Sequence, residues 1–132
     1  IDVMPAPKLW LPASDTDGLL GIMKELDLII PDKGTSLLNS FQSIRSLSPR
    51  PDNIILITDG LPTQGEKPSG KSGVSGKERL KLFEKAVSAL PDSIPVNTIL
   101  FPMEGDPIAA MSFWKLAIDS SGSFFTPTSD WP

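Results

Sequence analysis

Residues 53–60, Asn-Ile-Ile-Leu-Ile-Thr-Asp-Gly, decide the fold. Ile54, Ile55, Leu56 and Ile57 follow one another without polar alternation, which predicts a strand buried on both faces of a parallel sheet. The run ends in Asp59-Gly60, so a carboxylate is delivered to the carboxyl end of that strand. In open α/β sheets this is the edge where ligands bind.

The segment just downstream makes a competing offer. Gly65 to Ser72, Gly-Glu-Lys-Pro-Ser-Gly-Lys-Ser, satisfies the phosphate-cradling pattern G-x-x-x-x-G-K-[ST]. A working phosphate loop starts directly after a strand and its Lys-Ser pair opens a helix, whose N–H groups hold the anion. Here several residues separate Asp59 from Gly65, and Gly73-Val74-Ser75-Gly76 follows Ser72. The context fails at both ends, and the segment reads as a glycine-rich loop.

Working outward, helices and strands alternate. Leu19, Leu20, Ile22, Met23, Leu26, Ile29 and Ile30 recur at helical spacing within 17–30, behind a run of capping residues from Ser14 to Asp17 and ahead of Pro31. Leu37, Leu38, Phe41, Ile44 and Leu47 place one apolar face on a second helix that ends before Pro49. Leu80, Phe83, Ala86, Val87 and Leu90 do the same over 77–90. Residues 95–102, Pro-Val-Asn-Thr-Ile-Leu-Phe-Pro, predict another buried strand. Asp106-Pro107 opens a helix with an acidic cap and proline at the first helical position, continued by Ile108, Met111, Trp114, Ala117 and Ile118. Gly122 ends it, and 123–126 predict a short last strand. Residues 8–11 read as a brief edge strand cut off by Pro12. This alternation implies a doubly wound, mostly parallel sheet with helices on both faces, Rossmann-like in architecture, within one domain spanning 1–132.

Composition limits the function. The chain has 132 residues, 16 acidic against 12 basic, a net charge of −4, and neither histidine nor cysteine. A net negative charge disfavours nucleic acid and anionic lipid as partners. No apolar run reaches the roughly 18 residues needed to span a bilayer, so direct membrane insertion is not expected. Without imidazole or thiol, zinc sites of the usual kind and histidine-based catalysis are excluded, and any metal must sit among oxygens.

Two acidic clusters need weighing. Asp15-Thr16-Asp17-Gly18 resembles the D-x-D-G motif of haloacid-dehalogenase-type phosphatases. In that reading Asp15 is the nucleophile and Asp17 the general acid of a magnesium-dependent phosphatase, which requires both carboxylates at the end of a rigid strand. Leu11-Pro12-Ala13-Ser14 makes a weak strand, and helix capping is the simpler reading. Asp119-Ser120-Ser121-Gly122-Ser123 is a formal D-x-S-x-S, but it continues the helical phase begun at Pro107 and reads as a helix end.

A last pair spans two elements. Gly34-Thr35-Ser36-Leu37-Leu38 precedes an amphipathic helix, and that helix precedes the strand ending at Asp59. Parallel topology brings the Thr35 hydroxyl and the Asp59 carboxylate to one edge, where together they can hold a hard cation. Glu104 and Asp106, after the 95–101 strand, reach the same edge and either add negative charge or cap the next helix.

In these segments the chain resembles the later two thirds of a von Willebrand factor type A domain. "GTSLLNSF" is similar to its threonine motif, "ILITDGLPTQG" to its aspartate motif, and "FWKLAIDSSGSFFTP" to its closing helix and strand. The resemblance implies a doubly wound sheet carrying a metal-ion-dependent adhesion site. There Thr35 and Asp59 would serve as ligands of Mg2+, directly or through water, and a protein partner's carboxylate would complete the ion.

The family's first strand, with its own D-x-S-x-S loop, has no counterpart upstream of Thr35, and residues 2–11 look like the tail of its second strand and the third. With two of five ligands, metal binding should be weak or absent. Circular permutation, returning Asp119, Ser121 and Ser123 to the rim, is one way to restore the set. The missing strand would also bare an apolar edge at 53–58. The expectation is therefore of a carboxyl part of a longer polypeptide, or of self-association through that unfilled edge.

Overall fold

The computed structural model describes residues 10–30, 34–67, 73–101 and 104–127. Four helices and three strands alternate along them: α1 (Thr16–Asp27), α2 (Leu37–Arg45), β1 (Ile54–Thr58), α3 (Gly76–Val87), β2 (Val96–Leu100), α4 (Pro107–Asp119) and β3 (Phe124–Phe125). The strands form one parallel sheet in the order β1-β2-β3, with Ile54 beside Val96 and Thr98 beside Phe124. The alternation predicted from apolar spacing is present, and the fold is mixed α/β.

Three of the four described helices start where a side chain satisfies a free first-turn N–H group. Asp15 caps α1, its carboxylate accepting from Gly18 N at 3.0 Å. Ser36 caps α2, accepting from Asn39 N. Ser75 and Glu78 form a reciprocal capping box at α3, an arrangement that satisfies two donors at once. Pro107 stands at the first turn of α4, where its missing N–H costs nothing.

One apolar cluster joins α2, α3 and α4 to one face of the sheet. It contains Leu37, Leu38 and Phe41 of α2, Phe83 and Ala86 of α3, Ala109, Phe113 and Leu116 of α4, and Ile54, Val96 and Leu100 from the strands. Strand alternation explains the choice of strand residues, since Ile54, Val96 and Leu100 point to the same side. The α4-to-β3 turn closes tightly against this core. Gly122 N donates to Ala117 O at 2.8 Å, and a Cβ on Gly122 would collide with the Val96 backbone, so glycine is required there.

Two expectations are corrected. β1 is not buried on both faces: Ile55 and Ile57 are 68% and 65% exposed. Among the described residues, no helix covers that second face. The strand order runs without reversal from β1 to β3, so both crossover helices, α3 and α4, pack on one side. A helical layer on both faces needs a reversal of direction in the sheet, which these three strands lack.

α1 forms as its spacing predicts, yet it buries no residue and contacts no other helix or strand. Periodicity specified the helix and its apolar stripe but no tertiary partner for that stripe. Finally, residues 10 and 11 are irregular rather than a strand, and residues 1–9 lie outside the described segments. Pro12 accepts a turn hydrogen bond from Asp15 N instead, which starts the approach to α1.

No described helix is long and apolar enough to cross a membrane.

Candidate functional site: the carboxyl rim of the sheet

Past the carboxyl ends of β1 and β2, three loops meet. The loop before α2 is bonded to the loop after β1, because Thr35 O accepts from both Thr63 N and Gln64 N at 3.1 Å. In return Thr35 N donates to the Thr63 hydroxyl at 3.1 Å. Ser36 adds a donation from its hydroxyl to Gly65 O at 2.6 Å. Gly34 is needed for this approach, since a Cβ there would collide with the Thr63 hydroxyl. These bonds hold Thr35 at the same end of the sheet as Asp59, four residues before Thr63. Both Thr35 and Asp59 are exposed.

The second meeting joins the β1 loop to the β2 loop. Asp106 is buried, and its Oδ2 accepts from Leu61 N at 2.7 Å and pairs with the Arg79 guanidinium at 2.8 Å. Arg79 donates to Leu61 O from Nη2 at 2.5 Å and from Nε at 3.2 Å. Leu61 therefore gives its N–H to a carboxylate and its carbonyl to the guanidinium paired with that carboxylate. The closure depends on Gly60: a Cβ there would stand 2.7 Å from Asp106 Oδ2 and 3.1 Å from Arg79 Nη2. Charge-assisted bonds of this kind are about twice as strong as neutral ones. The clamp fixes the backbone immediately after Asp59.

Asp106 was expected to cap α4 or to add charge to the rim. It occupies the cap position but makes no capping hydrogen bond, its carboxylate being engaged by Leu61 and Arg79. Arg79 was not singled out in the sequence, where it reads as one of several cations on an amphipathic helix. Its one distinguishing mark is chemical: it is arginine among Lys77, Lys81 and Lys85, and only guanidinium presents a planar fork to backbone and carboxylate together.

The remaining patterns fall elsewhere. Asp15 and Asp17 lie at the start of α1, both exposed, with no strand before them among the described residues. The paired strand-end carboxylates needed for phosphatase chemistry are thus not formed there. Asp119 pairs with Lys115 at 2.6 Å. The Ser120 hydroxyl accepts from Val96 N at 3.0 Å, at the amino end of β2. The 119–123 motif is therefore at the end of the sheet opposite the rim, and permutation cannot return it there.

The phosphate-loop pattern also lacks its setting. β1 ends at Thr58 and α3 begins at Gly76 behind Ser75, while residues 68–72, with Lys71 and Ser72, lie outside the described segments. A groove of about 360 Å³ beside this loop is lined by Thr63, Gly65, Val74, Glu78, Lys81 and Lys85 among others. The first helical residues of α3, Gly76 and Lys77, do not line it.

Among the described residues no group of three or more acidic side chains comes together. On the rim, Asp106 is committed to Arg79, leaving Thr35 and Asp59 as the exposed oxygen donors of the expected pair. Two such donors do not form an all-protein cage.

Compared with protein-family models, with curated proteins and with solved structures, the chain matches none.

Proposed function

We propose that this chain is a protein-interaction module of the von Willebrand A type, which engages its partner at the carboxyl rim of the sheet. The observation that carries the reading is the doubled hydrogen bond from Thr63 N and Gln64 N to Thr35 O. It ties the threonine loop to the loop following Asp59, so a hydroxyl and a carboxylate distant in sequence share one exposed rim. The Asp106–Arg79 clamp supports the same reading, because it stiffens the backbone beside Asp59 without consuming the Asp59 side chain. A rim held on rigid elements loses little entropy on binding.

In this reading Thr35 and Asp59 hold a hydrated Mg2+ ion, which supplies a positive centre for a carboxylate of the partner. The protein's own part is to present the two oxygens and to exclude competing contacts from Asp106. With so few protein ligands the ion is held with a dissociation constant on the order of 1 mM, the range of weak oxygen-ligand sites.

Calorimetric titration tests this directly. The wild-type chain is expected to give a weak, saturable Mg2+ signal that Asp59→Ala abolishes and Asp15→Ala leaves intact. Equal signals from wild type and Asp59→Ala would remove the rim from consideration.

A further inference from the structure

The positive charge of α3 runs along one line. Lys77, Lys81 and Lys85 follow one another at helical i, i+4 spacing and are exposed, so they stand one above the next on a single side of the helix. Among the described residues none of these lysines belongs to an ion pair. The other charges of the helix do not cancel them. Arg79 is paired with Asp106, and Glu78 Oε2 accepts from Ser75 N at 2.9 Å and from the Ser75 hydroxyl at 2.7 Å. Glu84 lines a different groove, toward α4. In a chain of net charge −4, the lysine line is a local excess of the opposite sign.

Lys81 and Lys85 also border the groove of about 360 Å³ beside the 63–65 loop, whose apolar lining comes from Val74 and Leu82. Gly65 lies against that lining, since a Cβ built on it would stand 3.4 Å from Leu82 Cδ2. The loop is tied down from the start of α2: the Ser36 hydroxyl donates to Gly65 O at 2.6 Å, and Asn39 Nδ2 donates to Glu66 O at 3.4 Å. A fixed loop, an apolar floor and a cationic side therefore meet in one groove, which loses little entropy on taking up a ligand.

We propose that this groove binds an acidic, partly apolar segment of a partner protein in extended form, with carboxylates on Lys81 and Lys85 and apolar side chains over Val74 and Leu82. Charge complementarity selects the partner, and spacing fits it. Successive lysines of the line are about 6 Å apart along the helix axis, while alternate residues of an extended chain are about 6.6 Å apart. Acidic side chains at alternate positions thus meet successive lysines. Nucleic acid and anionic membranes also carry negative charge, but a long polyanion reaches beyond a lysine line of about 12 Å and meets the repulsion of the whole acidic chain. A short segment meets only the lysines. The groove borders the rim through Thr63, yet the lysine line needs no ion, and the inference goes beyond the rim reading without resting on it.

Fluorescence anisotropy of the full chain with the dye-labelled peptide Glu-Leu-Glu-Leu-Glu tests this. Saturable binding is expected, weakened by rising salt, and much weaker for Gln-Leu-Gln-Leu-Gln. Reversing both charges, Lys81→Glu with Lys85→Glu, should weaken it by about tenfold or more, because two exposed attractions become repulsions. Lys24→Glu, on the exposed surface of α1, should change it by less than about twofold. Far-UV circular dichroism of these variants should match the wild type, since every altered position is exposed. Chelation with EDTA and Asp59→Ala should leave peptide binding unchanged. No binding, equal binding of the two peptides, or an equal loss in the Lys24→Glu control overturns the inference. Binding that ignores the lysine reversal but disappears with EDTA or Asp59→Ala also overturns it, and leaves the rim reading standing. Tighter binding of an oligouridylate or of phosphatidylserine vesicles than of the acidic peptide, lost on the same reversal, overturns the choice of a peptide partner.

Discussion

Asp106→Ala is expected to destabilise the folded chain by about 3–5 kcal/mol, the cost of removing one partner from a buried ion pair. For a domain of this size that is a fall in Tm of roughly 10–20 °C. The magnitude follows from what the substitution strands. Arg79, with a side chain only 14% exposed, loses its counter-charge, and Leu61 N loses the acceptor at 2.7 Å. Asp106→Asn keeps an acceptor for Leu61 but not the charge, so its loss should be smaller. Replacing both partners, Arg79→Met with Asp106→Leu, should recover part of the deficit, because no buried charge is then left alone. Thermal denaturation of the four proteins checks the ordering. A loss under about 1 kcal/mol for Asp106→Ala would mean that the clamp contributes no more than an ordinary surface pair.

This clamp also marks where sequence reading reached and where it stopped. Asp106-Pro107 is legible as a helix opening because cap and proline are local signals. That the Asp106 carboxylate turns to Leu61 instead of its own helix depends on the space left by Gly60, 46 residues away, and on Arg79 from a third element. Such a three-way meeting has no signature in local spacing. That Thr35 and Asp59 stand at one end of the sheet is legible for the opposite reason: a helix entry and a strand end both lie at an edge fixed by parallel topology.

The apolar runs divide in the same way. The spacing of Leu19, Ile22, Met23 and Leu26 specifies a helix and its stripe, and the run Ile54 to Ile57 specifies a strand. Neither says whether another layer lies above it. In the structure the stripe of α1 and the Ile55–Ile57 face are both exposed, so the expected second layer of helices is missing from the described residues.

Phe113→Ala is the second large expected effect, a loss of about 3–5 kcal/mol. Phe113 is fully buried and meets Phe83 edge to face, with ring centroids 5.0 Å apart and planes at 82°. The pair joins α4 to α3 over the sheet, so truncation removes buried apolar surface, leaves a cavity and breaks an aromatic contact of about 0.5–1.5 kcal/mol. Phe113→Leu, which refills much of the space, should cost less. Chemical denaturation with an unchanged m value would assign the loss to the native state. Trp114→Ala, on the same helix but 54% exposed, serves as the control and should change stability by less than about 1 kcal/mol.

The proposal that one rim gathers Thr35 and Asp59 around a hydrated cation is tested most directly by paramagnetic broadening. Trace Mn2+ is added to isotope-labelled protein, and loss of amide signal is followed residue by residue. The account predicts that Thr35, Asp59 and Gly60 fade first, that Mg2+ restores them, and that Asp59→Ala eliminates the effect. Broadening centred on Asp15 and Asp17, with Thr35 and Asp59 untouched, would contradict it.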